Sequence, residues 1–284
     1  MIPQSFEYAA PTDLKDALGR IAGGGKALAG GMSLIPMMKM RLAAPDLLID
    51  LGRIPELNYI REDSGKLRIG ATAKHYEIES SRLVRSRCLL LAETAGHIGD
   101  VQVRNMGTIG GSAAHADPAA DYPATLMALE AEFLVASARG ERVVSVEDFF
   151  VDTFTTALAA EEIIREVIVP VEDPAAGTSY QKMLQPASGF AIVGIAARIH
   201  KSDGKITFAR IGVTGLGPKA FRARNVERLL EGTSAASPDI NRAASVVAEG
   251  VEASSDMHAS AEYRKHLARI YAARAIAAAL SRAS

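Results

Sequence analysis

A single cysteine, Cys88, stands in the whole sequence. One thiol cannot close a disulfide within the chain, and it cannot supply the thiolates that hold an iron–sulfur cluster. An excess of either charge is lacking too. With 32 Lys and Arg against 33 Asp and Glu, the formal net charge is −1, without the basic excess of a nucleic-acid-binding surface. No uncharged apolar run reaches the roughly 18 residues of a membrane-spanning helix. The longest candidate, residues 187–197, reads as a buried strand. The N-terminus carries Glu7, Asp13, Lys15 and Asp16 and no apolar core, so no secretory signal is expected. With the lone cysteine, this fits a reducing, cytoplasmic setting. The six histidines lack the His-x-x-x-His spacing of a helical metal site, and no Gly-x-Ser-x-Gly elbow is present.

What is present is ample. The chain has 284 residues, 48% of them hydrophobic and 23% charged, enough for two or three domains with real cores. The start reads as a strand (6–9), a helix (13–22) capped by Thr12, a strand (26–29), a helix (33–41) and a strand (47–50). Strands are expected at 66–69, 132–136, 143–146 and 162–169, and helices at 76–81, 88–99 and 124–129. Cys88, opening an apolar helix, reads as a small buried hydrophobe. Residues 100–123, rich in Gly, Ala, Asp and Pro, read mostly as loop. Residues 170–177 mark a boundary. Strands at 179–183, 191–200 and 205–214 precede helices at 223–230, 240–253 and 261–280, an α+β pattern. The charges there, including Arg210, Arg222, Arg224 and Arg228, read as solvated faces.

Two glycine-rich loops stand out. In the first, Ala29-Gly30-Gly31-Met32-Ser33, a strand turns into a helix. Glycines permit positive φ and close approach, and a helix start offers free N–H groups, so the turn suits a phosphate; a plain chain reversal has the same look. Ser33 is a candidate both as cap and as hydroxyl donor. The second runs Thr108-Ile109-Gly110-Gly111-Ser112 and continues through His115 to Asp117-Pro118. Its small side chains make a poor core but a surface that a flat ligand can touch. Neither loop is a Gly-x-Gly-x-x-Gly turn after a first strand or a Gly-x-x-x-x-Gly-Lys-Ser/Thr loop, the two common nucleotide signatures.

The stretches Ala29-Gly30-Gly31-Met32-Ser33-Leu34, Gln102-Val103-Arg104-Asn105-Met106-Gly107-Thr108-Ile109-Gly110-Gly111-Ser112, Asp117-Pro118-Ala119-Ala120-Asp121 and Ser260-Ala261-Glu262-Tyr263-Arg264 resemble the flavoprotein (medium) subunits of the xanthine dehydrogenase and carbon monoxide dehydrogenase family. The resemblance covers nearly the whole chain. It implies an α+β, vanillyl-alcohol-oxidase-type FAD-binding fold of two subdomains, 1–55 and 56–172, and a C-terminal domain, 173–284, of small antiparallel sheet and helical bundle. It implies that Ala29, Gly30, Gly31, Met32, Ser33, Leu34, Thr108, Gly110, Gly111 and Ser112 hold the FAD pyrophosphate. Asp117 follows as the acidic residue after the second loop, Ile163 or Ile164 as the adenine contact and Lys182 as the lysine of the third domain. Phe190 stands where some relatives carry a tyrosine near the isoalloxazine, and His115 is a further candidate contact. Met32, Ser112, His115 and Phe190 depart from the residues common in the family. The implied role is electron transfer from a small 2Fe-2S subunit to an external acceptor, beside a large molybdopterin subunit, in a hetero-hexamer. Two rivals remain: a self-sufficient flavin oxidase of the same fold, and a non-redox module that binds a phosphate ligand.

Overall fold

The computed structural model describes residues 2–234 and 236–284. The first unit is a parallel sheet of β1 (Glu7–Ala9), β2 (Lys26–Leu28) and β3 (Leu47–Asp50) in the order β1-β3-β2, crossed by α1 (Leu14–Ala22) and α2 (Leu34–Lys39). Asp13, not Thr12, caps α1. Its side chain accepts from the Asp16 N–H at 2.9 Å, and Thr12 lies one residue too early to do so. Gly23 ends the helix, and Gly24, at φ +99°, turns the chain into β2.

The second unit is antiparallel. Its strands β4 (Ile60–Asp63), β5 (Lys66–Gly70), β6 (Glu132–Ser137), β7 (Gly140–Ser145) and β10 (Ile163–Pro170) run in the order β4-β5-β10-β6-β7. Between β5 and β6 lie α3 (His75–Ser80), α4 (Arg82–Arg87), α5 (Leu89–Gly96), α6 (Val101–Met106), α7 (Ile109–His115) and α8 (Asp121–Ala128). Residues 100–123 are therefore mostly helical, against the loop expected from their composition. Caps explain it. The Asp100 carboxylate accepts from the N–H groups of Gln102 and Val103, and Thr108 accepts from Gly111. Pro123 sits in the first turn of α8, where its missing N–H has no helical acceptor to lose. A turn, α9 (Val146–Phe149), and a small hairpin, β8 (Phe150–Asp152) with β9 (Thr155–Thr156), precede β10.

The third unit is the antiparallel meander β11 (Gly177–Leu184), β12 (Ala191–Ser202), β13 (Lys205–Thr214) and β14 (Phe221–Arg222). It packs against α10 (Arg224–Leu230), α11 (Ser237–Ser245) and the 22-residue α12 (Ala261–Arg282). Its arginines are not all solvated. The Arg222 guanidinium is nearly buried and bridges Glu130 and Glu147 of the second unit to Glu227 of α10, at 2.8, 3.1 and 2.6 Å. Among the described residues no helix is long and apolar enough to cross a membrane.

Candidate functional site

A cavity of about 730 Å³ opens where the β2–α2 turn, the start of α7, the 71–75 segment, β10 and the loop before β12 meet. That size suits a cofactor, since small-molecule pockets run roughly 300–1,000 Å³. Ala29, Gly30, Gly31, Met32, Ser33, Leu34, Thr108, Gly110, Gly111, Ser112, His115, Asp117, Ile163, Ile164 and Phe190 all line it. Lys182 does not. Its ammonium is buried behind the wall, paired with Asp121 at 2.9 Å and donating to the carbonyls of His97 (2.7 Å) and Gly189 (2.6 Å). It braces the loop that carries Phe190 and does not face the space.

The two glycine-rich loops play unequal parts. In the first, the backbone N–H groups of Gly30, Gly31, Met32 and Ser33 find no backbone acceptor among the described residues. Four donors at a turn into a helix are an anion cradle. Ser33 takes a helical backbone (φ −105°, ψ −50°) and makes no capping bond, so its hydroxyl is not spent on the helix, contrary to the dual role expected of it. In the second loop the donors are already used. The Ile109 N–H donates to Ala73 O (3.1 Å), Gly110 to Ala71 O (2.9 Å), Ser112 to Thr108 O (2.9 Å) and Gly111 to Thr108 Oγ1 (3.1 Å). With Oγ1 accepting, the Thr108 hydroxyl proton remains free to donate.

The glycines also serve contact between the loops. A Cβ on Gly30 would strike the Met106 carbonyl, and one on Gly110 would lie 2.5 Å from the Ala71 Cβ. Gly31 alone among the four loop glycines needs positive φ, at +74°.

The electrostatics of the wall follow from burial. His115 is held below its ordinary pKa by burial, and its ring lies 5.0 Å from that of Phe154. Burial pushes the Asp121 carboxyl up, while Lys182 and a hydrogen bond from the Tyr180 hydroxyl (2.6 Å) pull it back. Asp117 accepts from the Ala119 N–H at 2.8 Å, which bends the chain toward α8.

Phe154 and His75 are among the lining residues that sequence reasoning missed. Phe154 sits at the tip of the β8–β9 hairpin with φ +50°, and nothing in a polar Asp-Thr-Phe-Thr-Thr run announced a hairpin. His75 carries no metal-site spacing and was not a sequence candidate. It is buried in the wall, with Nδ1 lacking any partner.

Comparison with known proteins agrees with this geometry. Residues 4–172 match the family described as the FAD binding domain in molybdopterin dehydrogenase, and residues 178–279 that described as the CO dehydrogenase flavoprotein C-terminal domain. The chain is similar to the carbon monoxide dehydrogenase medium chain of Hydrogenophaga pseudoflava, at 38% identity over 99% of both chains. It is also similar to the 6-hydroxypseudooxynicotine dehydrogenase complex subunit alpha of Paenarthrobacter nicotinovorans, at 36% identity over 100% of this chain and 97% of that one. Among solved structures, a chain of the Hydrogenophaga pseudoflava carbon monoxide dehydrogenase that lacks the Mo-pyranopterin moiety superposes with a TM-score of 0.97, at 39% identity, with all of both chains covered.

Proposed function

Because the chain belongs to the FAD-binding medium-chain family of the molybdenum hydroxylases, we propose that it is the subunit that relays electrons from an iron–sulfur partner to an external acceptor. Its cofactor is FAD, and it is an oxidoreductase component. Bound FAD supplies a redox centre able to change by one or by two electrons, which suits a junction between a one-electron donor and a two-electron acceptor.

The cavity carries the reading. Its residues fit FAD: unpaired N–H groups for the pyrophosphate, two packed glycine loops that admit close approach, and apolar walls at Ile163, Ile164 and Phe190 for flat rings. We assign Gly30–Ser33 to the pyrophosphate through the backbone, Thr108 and Ser33 to it through their hydroxyls, and Ile163 and Ile164 to the adenine end. Electrons enter from another chain, because the one cysteine here is buried and one thiolate cannot ligate a cluster. The partners are a small 2Fe-2S subunit and a large molybdopterin subunit, in a cytoplasmic hetero-hexamer. The large subunit sets the substrate, in keeping with relatives named for carbon monoxide and for 6-hydroxypseudooxynicotine.

The test is to express the chain alone, load it with FAD, and assay hydroxylation with an artificial electron acceptor. The assay is repeated with both partner subunits. Turnover only in the full assembly, with bleaching of the flavin band near ~450 nm after substrate is added, is the expected outcome. Turnover by the single chain would favour a self-sufficient oxidase instead.

A further inference from the structure

The wall between the two glycine-rich loops contains a polar side chain that packing alone does not explain. His75 opens α3, lines the cavity and is only 4% exposed. Its Nδ1 is sealed from solvent and reaches no hydrogen-bond partner. Leucine or phenylalanine would fill the place without stripping a ring nitrogen of water. The surroundings are nevertheless shaped to the imidazole. Its backbone N–H donates to Gly107 O at 3.0 Å, and a Cβ on Gly107 would lie 2.5 Å from Nε2. Tyr122 meets the ring edge-on, with centroids 5.3 Å apart.

The groups around the ring fix its charge. From α6 comes Arg104, held by the Glu79 carboxylate of α3 at 2.9 Å and by the carbonyls of Ile98 and Gly99. From α8 comes Tyr122, a phenol that burial keeps neutral. Burial first, and the Arg104 charge second, lower the His75 pKa to about 4, so the ring is neutral near pH 7. A neutral imidazole has one N–H and one bare nitrogen. A buried orphan N–H is rarer than a buried orphan acceptor, so the sealed Nδ1 is the bare one and Nε2 carries the proton. Nε2 lies beside Gly107, itself a lining residue.

We propose that His75 is a cofactor-contacting residue, a neutral imidazole that donates one hydrogen bond from Nε2 to an acceptor atom of FAD in the cavity. This rests on the reading of the cavity as the FAD site. Because the donor stays neutral, FAD affinity shows no histidine step from this position between about pH 6 and pH 9.

The test titrates the full chain with FAD, following quenching of flavin fluorescence, for wild type, His75→Leu and His75→Gln, with circular dichroism in parallel. His75→Leu loses the donor and weakens FAD binding by about tenfold or more. His75→Gln, whose amide nitrogen reaches to the place of Nε2, returns affinity to within about threefold of wild type. In wild type, the nitrogen-15 resonance of Nε2 is that of a protonated nitrogen and moves when FAD is added. Unchanged affinity in His75→Leu would overturn the proposal, and so would equal weakness of both variants. An Nε2 resonance indifferent to FAD would also overturn it, a result that stands even if His75→Leu does not fold. A wild-type chain that takes up no FAD would bring down the reading of the cavity itself.

Discussion

Gly30 and Gly111 face the same narrow gap, and a side chain closes it in different ways. A Cβ on Gly111 would meet the Thr108 hydroxyl oxygen at 2.7 Å and only graze Ala29 at 3.8 Å. Gly111→Val is thus expected to abolish FAD retention while circular dichroism stays native, because the branched side chain takes the ligand's space and not the fold's. Gly111 has no positive φ, so close approach and not backbone freedom is the reason. At Gly30 the obstacle is the Met106 carbonyl, which cannot swing away. Gly30→Ala should lose both flavin and about 1–3 kcal/mol of stability, read from urea melts. Ser33→Ala leaves the melting midpoint unchanged, since no capping bond exists to lose, and lowers FAD affinity a few-fold by calorimetric titration. His75 gives an acid signature. Its pKa falls from 6.5 in the unfolded chain to about 4 in the folded one. The stability this represents, on the order of 3 kcal/mol, is present above pH 6.5 and lost as pH drops toward 4. Wild type should therefore lose more in urea midpoint between pH 7 and pH 4.5 than His75→Gln does. An equal loss in both would show that this ring does not govern the acid limb.

At the scale of elements, the buried pair of Lys182 on β11 and Asp121 at the head of α8 is the joint to test. Lys182→Met strands the Asp121 carboxylate and should cost about 3–5 kcal/mol, while Lys182→Met with Asp121→Asn recovers much of it. A double variant as unstable as the single one would mean that the ammonium's bonds to His97 and Gly189, and not the charge pair, hold the joint. Sequence reading found the elements whose periodicity is clear: α1, β3, β12, β13 and α12 come close to their expected places. It missed β4, whose residues are mostly exposed and lack apolar alternation, and which is fixed by the Ser64-Gly65 turn at φ +52° and +73°. It missed α6 because that short helix buries no residue and so shows no apolar stripe, and α7 because its side chains are mostly small; their starts are written in Asp100 and Thr108 as caps. The unpaired N–H groups of the first loop were legible, since glycines at a strand–helix turn advertise free donors. The closed donors of Ile109 and Gly110 in the second loop were not, because their acceptors at Ala73 and Ala71 lie far off in sequence. His75 was hidden for the same reason: only the assembled wall gives an isolated histidine its setting.

At the scale of the whole molecule, the third unit is not an appendage. Tyr180, Ala196 and Ala220 belong to the same buried cluster as Leu67, Tyr122 and Phe133 of the second. The sheet lies on α8 so closely that a Cβ on Gly212 would strike the Ala124 carbonyl. Thr214 Oγ1 donates to one of two nearby carbonyls, Pro118 O at 2.8 Å or Ala120 O at 2.7 Å, fastening the segment between α7 and α8 to the end of β13. A joint of this kind is a weld and not a hinge. The cavity wall after the second loop cannot yield independently of the C-terminal sheet, so a chain cut near residue 176 would bare the face of α8 that the sheet covers and is expected to precipitate, leaving no smaller flavoprotein behind. The same weld makes the sheet a rigid lever on the cavity. A partner pressing on its outer helices would shift the 117–121 wall without touching it, which makes remote packing substitutions, Gly212→Ala first among them, a means of moving flavin affinity from more than one element away.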